Sequence, residues 1–292
     1  MGPIDVAIAS CQVLPEPDRD QAPLLDALRA AGLRAEVLAW DDAAADFSSA
    51  RLTLLRSTWN YAERPEHFTD WLTRAASASA LWNPLPVVRW NLHKRYLLDL
   101  ARAGVPVTPT HLVPRGSAER LADVAAARGW GDVVVKPAVS AGSRLTLRTG
   151  ATTGPGEAHL RALVGREDAL VQPYLPAVEG HGERALVFID GELTHAVRKA
   201  PRFAGDDESI SGPFVVSDDE AALARAVLAA APAPVLYARV DIAPGPDGRP
   251  MLMELELIEP SLFFDCGPQA LDRLVNAIGR HVRCNTPTTN GG

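Results

Sequence analysis

The densest chemistry in the chain lies between Tyr237 and Glu256, where Arg239, Asp241, Glu254 and Glu256 flank an Asp247-Gly248 dipeptide. Asp-Gly tolerates the positive φ of tight hairpin turns. With that pair as a two-residue loop, Asp241 lies opposite Glu254 and Arg239 opposite Glu256. Side chains two apart on a strand share a face, and directly opposed partners share it too, so three carboxylates and one arginine form a single patch. Like charges facing each other on a sheet repel, which calls for a compensating cation. Oxygen ligands with no His or Cys nearby suit Mg2+, which takes one or two carboxylates together with substrate phosphates. The alternative is a solvated strand face neutralised by Arg239, and the flanking Leu252, Met253, Leu255, Leu257 and Ile258 favour burial instead.

Lys136 closes the apolar run Val133-Val134-Val135, and a lysine in a buried strand needs an anion. A phosphate would serve. The small residues that follow, Ser140, Ala141, Gly142 and Ser143, let backbone N–H groups approach phosphate oxygens. The P-loop pattern GxxxxGK is absent. Lys94 reads from its surroundings alone as a surface residue of a helix running from Asn91 to Ala103. Gln172-Pro173-Tyr174-Leu175 leaves a strand through a proline and exposes backbone groups of the kind that read an adenine edge. A second hairpin, turning at Asp190-Gly191, sets Glu183 opposite Arg198, with Arg184 and Lys199 at its open end. These cations either clamp a γ-phosphate or form an ordinary surface ion pair.

The elements that must position these residues alternate early and then change. Strand signals at Val6 to Ser10, Ala35 to Trp40 and Arg51 to Arg56 interleave with a helix from Arg19 to Ala31, the pattern of an α/β lobe with a parallel sheet. A further helix opens at Pro65 and turns His67, Phe68, Trp71 and Leu72 inward. Trp82 to Pro86 breaks regular structure. The expected organisation is a first unit over 1–87, a second over 88–168, a third over 169–284 opening on the strand Ala169 to Gln172, and a frayed tail over 285–292. The aperiodic segment Pro201 to Pro213 is a surface loop or a lid.

With 292 residues, 47% hydrophobic and 22% charged, the chain can bury several cores and is not intrinsically disordered. A net charge of −7 provides no global basic field for nucleic acid. Three scattered cysteines suggest neither a disulfide framework nor a zinc site, and with no leader and no membrane-spanning run a cytoplasmic location is expected. No GxSxG, HExxH or GxGxxG motif stands where serine hydrolase, zincin or dehydrogenase chemistry needs it. Cys11 reads as a buried structural thiol rather than a nucleophile.

Taken in order, Lys94, Lys136-Pro137 with its loop, Gln172 to Leu175, Gly182-Glu183-Arg184, Arg198-Lys199, Asp241 and Glu254-Leu255-Glu256 resemble the ATP-grasp superfamily, nearest its glutathione synthetase and RimK-like ligases. The resemblance implies an ATP-grasp fold with a Rossmann-like N-terminal domain, an α/β chain using ATP and Mg2+. It assigns Lys94, Lys136, Ser140, Gly142 and Ser143 to the nucleotide phosphates, Gln172, Tyr174 and Leu175 to the adenine, and Glu179 to the ribose. Asp241, Glu254 and Glu256 would hold Mg2+, with Arg198, Lys199 and Arg239 at the transferred phosphoryl group. Two features depart from the family pattern: Glu256 stands where Asn is usual, and the phosphate loop has a single glycine where relatives have several.

Including Arg56-Ser57-Thr58-Trp59-Asn60-Tyr61 and Glu259-Pro260-Ser261, the chain most resembles the ATP-grasp cyclo-ligases of D-cycloserine biosynthesis. The resemblance implies phosphorylation of the carboxylate of O-ureido-D-serine, followed by attack of the substrate's own nitrogen. An intermolecular amino-acid ligase and a non-catalytic ATP sensor are the competing readings. Arg56, Ser57 and Asn60, beyond a strand of the first lobe, are expected to meet the amino acid along with Arg184 and Ser261. The expected partners are that small molecule and a second copy in a homodimer, with neither nucleic acid nor membrane.

Overall fold

The computed structural model describes residues 4–200 and 209–284. The expected tail and most of the 201–213 segment therefore lie outside the described residues.

In the first lobe, β1 (Ile4–Ser10), α1 (Gln21–Ala30), β2 (Ala35–Ala39), β3 (Ala50–Leu55), α2 (Pro65–Ala78) and β4 (Ala80–Trp82) build a parallel sheet in the order β2-β1-β3-β4. All seven residues of β1 are buried, as expected for a parallel strand covered on both faces. Phe68, Trp71 and Leu72 of α2 turn inward as the spacing predicts, whereas His67, in the first turn, is exposed.

The single helix expected from Asn91 to Ala103 is two, α3 (Leu85–Leu92) and α4 (Tyr96–Arg102). Tertiary hydrogen bonds break it. Lys94 N–H donates to the Ala138 carbonyl (2.7 Å), and the Asn91 amide donates to Leu255 O (2.8 Å) while accepting from Leu257 N–H (2.9 Å).

A second, antiparallel sheet in the order β5-β8-β6-β7 consists of β5 (His111–Val113), β6 (Asp132–Pro137), β7 (Leu147–Gly150) and β8 (Ala169–Pro173), backed by α5 (Leu121–Ala126) and α6 (Gly154–Val164). The strand at Ala169 thus pairs with β6 inside the second sheet rather than opening the third unit. After α7 (Ala177–Gly180), the third sheet runs β11-β10-β9-β12-β13 from β9 (Glu183–Ile189), β10 (Glu192–Lys199), β11 (Ile210–Ser211), β12 (Tyr237–Pro244) and β13 (Pro250–Glu256), flanked by α8 (Asp218–Ala229) and α9 (Pro268–Cys284).

Both hairpins of this sheet carry a bulge. Near its turn the β12–β13 hairpin pairs Pro244 with Pro250, and Gly245 N–H donates to Arg249 O (2.8 Å), so the loop is not the two-residue one. A register shift then leaves Met253 extra on β13, which brings Asp241 opposite Glu254 and Arg239 opposite Glu256 after all. On β10 the shift lies between Leu193 and His195 and has no compensation. Glu183 pairs with Lys199, and Arg198 pairs with Arg184. A one-residue slip exchanges faces, so Lys199 replaces Arg198 beside Glu183.

The first lobe and the third sheet share a core. Val6, Ile8, Leu24, Leu28, Leu52 and Leu54 pack in one cluster with Ala185, Val187, Val197, Leu274 and Ile278. Buried polar groups weld the same seam. The Tyr237 hydroxyl reaches Leu55 O (2.7 Å) and Ile258 O (2.9 Å), and the Asn83 amide donates to Tyr237 O and Leu257 O. Asp20 accepts from the backbone N–H groups of Leu262, Phe263 and Phe264 and pairs with the buried Arg56 guanidinium at 3.3 Å. The second sheet closes one face over its own cluster, which includes Leu121, Val133, Val135, Leu160 and Val171, while Leu112, Ala138 and Leu170 pack with Leu186, Phe188 and Leu252 of the third sheet. No helix among the described residues is long and apolar enough to cross a membrane.

Removing the Asp20 carboxylate would strand three backbone donors and a buried guanidinium. Asp20→Ala should therefore lower the unfolding free energy by about 3 kcal/mol. Urea denaturation checks this, and a midpoint equal to that of the unmodified chain would contradict it.

Candidate active site

A cleft of about 580 Å³ opens between the second and third sheets, with the first lobe closing one end. That volume suits a ligand of nucleotide size. Its deep end is apolar: Val134 of β6 faces Met253 of β13, with Leu175 and Val178 beyond the exit of β8. Gln172 is buried beside it and donates to the Thr110 hydroxyl (2.8 Å). Tyr174 forms the rim, and the Arg148 guanidinium lies 3.6 Å from its ring centroid. Glu179, expected at a ribose, does not line the cleft; it accepts from Arg148 (2.6 Å) and from the Tyr174 hydroxyl (2.9 Å).

The middle of the cleft is a row of opposed charges. Lys94 is buried, held by the break between α3 and α4, and donates to Glu254 Oε1 (2.5 Å) and to the Ser140 carbonyl (3.0 Å). Lys136 Nζ lies 3.8 Å from the other oxygen of Glu254. Lys199 meets Asp241 at 2.5 Å and Glu183 at 3.4 Å. Arg239 donates to both oxygens of Asp241 and to Glu256. Asp241 is fully buried beneath Lys199 and Arg239, while Glu254 and Glu256 line the cleft. Among the described residues no three His, Cys, Asp or Glu side chains form a preassembled metal cage.

The same burial divides the titrations. Burial alone would raise Glu254, but the charges of Lys94 and Lys136 outweigh it and hold the carboxyl down at about 2. Glu256 goes the other way: burial, with the Asp241 and Glu254 charges and against Arg239, pushes it up to about 7. Glu183 is likewise raised by burial in spite of Lys199. Burial lowers Lys136, and the charges of Lys94 and Lys199 act the same way against those of Glu254 and Glu183.

Ser140, Gly142 and Ser143 line the opening above the lysines. The backbone there is left-handed at Gly142 (φ 58°), Ser143 (φ 57°) and Leu145 (φ 51°). The loop thus takes with two ordinary residues a conformation that glycine adopts most readily.

Several expected site residues lie elsewhere. Arg198 is on the opposite face of β10 because of the bulge, donates to Gly180 O and does not line the cleft. Arg184, on that same face of the sheet, pairs with Glu220 at 3.3 Å and donates to Val215 O (2.8 Å). Arg56 turns into the seam between lobes, donating to Pro260 O (2.7 Å), and Ser57 is buried against Ser10 (3.0 Å). Asn60 and Ser261 do line the cleft.

One lining carboxyl, Glu259, was given no role by the sequence reading. Glu259 is only 7% exposed, and burial together with the Glu256 charge pushes it up to about 8, against a hydrogen bond with the Tyr61 hydroxyl. An acid set between Leu257-Ile258 and Leu262-Phe263-Phe264 was the available signal, since an isolated carboxyl in an apolar run needs a reason to be there.

Two sheets gripping a cleft, with paired lysines facing a two-glutamate strand, define an ATP-grasp ligase. The profile of "D-cycloserine synthetase DcsG, N-terminal domain" matches residues 6–83. The cycloserine biosynthesis protein DcsG of Streptomyces lavendulae is 36% identical over 284 residues, covering 91% of this chain and 95% of its own. The crystal structure of D-cycloserine synthetase DcsG superposes with a TM-score of 0.87 at 34% identity, covering 95% of this chain and 99% of that one. The ATP-grasp ligase PsnB, complexed with a phosphomimetic variant of its minimal precursor, Mg and ADP, shares the fold alone: TM-score 0.66, 16% identity, 97% of this chain and 100% of that one. The chain belongs to the D-cycloserine synthetase family, and it is an ATP-dependent ligase.

The raised carboxyl of Glu259 has a pH signature. Its folded value near 8 exceeds the ordinary 4.5, so between those values the folded chain binds more protons than the unfolded one and loses stability as pH rises. Glu259→Gln should therefore be more stable than the unmodified chain by on the order of 2 kcal/mol at about pH 8.5 and nearly equal to it at about pH 5. Urea midpoints at the two pH values test this; a difference independent of pH would refute the assignment.

Proposed function

We propose that the protein phosphorylates the carboxylate of O-ureido-D-serine with ATP and then closes the ring to D-cycloserine. The observation that carries the reading is the opposed row in the cleft, Lys94, Lys136, Lys199 and Arg239 against Glu254 and Glu256. Such a row can separate around a triphosphate, the lysines turning to phosphate oxygens and the glutamates to a cation. The apolar slot between Val134, Met253 and Leu175 suits the adenine.

The donor set fits Mg2+. It is all oxygen, offers Glu254 and Glu256 two apart on one strand face, and is an incomplete cage of the kind that substrate phosphates finish. Asp241 would join only if Lys199 and Arg239 released it. When bound, Mg2+ would neutralise charge on the phosphate oxygens.

The chain's own groups account for the rest. Lys136, with its lowered value, gains most from an arriving phosphate. Lys199 and Arg239, across the sheet from Glu183 and Glu256, are aimed at the same region and stabilise charge growing on the transferred group. A carboxylate oxygen attacks the γ-phosphorus, ADP leaves, and an acyl phosphate results. The substrate's oxyamine-type nitrogen then attacks the carbonyl carbon and phosphate departs; water removes the carbamoyl group as CO2 and ammonia. Closure within one bound molecule makes positioning a large part of the rate, so no side-chain nucleophile is needed.

ADP release should require one organic substrate only, and hydroxylamine should trap a hydroxamate from it. Dependence on a second amino acid would point to an intermolecular ligase, and no ADP with any carboxylate to a nucleotide sensor. Glu254→Ala should reduce kcat/KM for ATP at least about 100-fold; unchanged turnover would remove Glu254 from the site.

A further inference from the structure

The cleft is polar along its length. Lys94, Lys136, Lys199 and Arg239 stand toward the second and third sheets, whereas the end closed by the first lobe is lined by Trp59, Asn60, Tyr61, Ser261 and the acid Glu259. Among the described residues no Lys, Arg or His lies within ion-pair distance of Glu259; Lys94 acts on it from farther off, and the Tyr61 hydroxyl is the side-chain group beside it. It is nonetheless more than nine-tenths buried. Leaving a carboxyl there without a cation is costly unless a ligand supplies one.

The position is built. Trp59 Nε1 donates to the Glu259 carbonyl (2.9 Å), Arg56 to the next carbonyl, Pro260 O (2.7 Å), and the Tyr237 hydroxyl to the preceding one, Ile258 O (2.9 Å). Three consecutive carbonyls are thus held from the first lobe and the third sheet, which fixes where the Glu259 side chain leaves the backbone. Glu259 follows Glu256 by three residues, at most about 10 Å of chain.

We propose that Glu259 binds the α-ammonium group of the amino-acid substrate, with Tyr61 orienting the carboxylate. An amino acid then enters with its carboxylate toward the basic wall and its ammonium toward Glu259, and one side chain fixes which end is phosphorylated. The assignment rests on the amino-acid reading above. A charge-assisted hydrogen bond of this kind accounts for a preference of about thirtyfold or more.

The test compares O-ureido-D-serine with its deamino analogue, 3-(carbamoylaminooxy)propanoate, in wild type, Glu259→Gln and Glu259→Asp. Wild type should prefer the amino substrate by about thirtyfold or more in kcat/KM. Glu259→Gln should lose most of that preference through a KM raised at least about tenfold for the amino substrate alone, with the Kd for MgATP within about twofold of wild type. Glu259→Asp should restore part of it. A preference that survives in Glu259→Gln, or an equal loss for both substrates, overturns the proposal. Calorimetric titration of the two ligands into the nucleotide-saturated protein reads the same preference without turnover. Absence of ADP formation in wild type would therefore count against the proposed reaction, and equal affinities for the two ligands against Glu259.

Discussion

Buried charge must be matched, and in this protein the match is made between sheets. Glu254, on β13, is held by Lys94 from the break between two helices and faced by Lys136 from the second sheet. The three elements meet only if each brings its charge. The break at His93 to Arg95 follows from this, because Lys94 cannot both continue a helix and donate its N–H to Ala138 O. Breaking one member of such a set leaves an unpaired ion in a low-dielectric space, a larger loss than any of the surrounding surface ion pairs represents.

The same matching leaves remainders, and these are where ligands belong. Glu256 and Glu259 are pushed up by burial, with neighbouring carboxylates adding to it, and Lys136 is pushed down by burial that the charges of Glu254 and Glu183 do not offset. A protein evolved for stability alone would replace such groups with apolar ones of similar volume. Retaining them favours partners that arrive from solution carrying both signs.

Much of this was legible in the sequence, for reasons that differ from residue to residue. The facing of Asp241 with Glu254 was right although the turn assumed for it was wrong, since a longer loop and a bulge at Met253 offset each other. The face of Arg198 was wrong because the bulge near Thr194 has no such counterpart and no glycine marks it. Lys94 read as a surface residue because helical periodicity carries no information about a tertiary bond that interrupts it. Arg56 looked like a ligand group for its place beyond the carboxyl end of a strand, and its partners, Asp20 and Pro260, lie far off in sequence. Asn83 sat in a stretch that reads as a boundary, yet it is among the most buried polar groups in the seam.

That seam makes the first lobe and the third sheet one packed unit. Asp20 fastens the first lobe to the backbone at Leu262 to Phe264, and Tyr237 and Asn83 fasten it to β12 and to the exit of β13, all over a common core. The floor and one end of the cleft thereby share one core. The second sheet closes one face over its own core and meets the third through Leu112, Ala138 and Leu170, so the nucleotide slot lies where two cores adjoin, while the end that would receive the smaller substrate is built on the shared one.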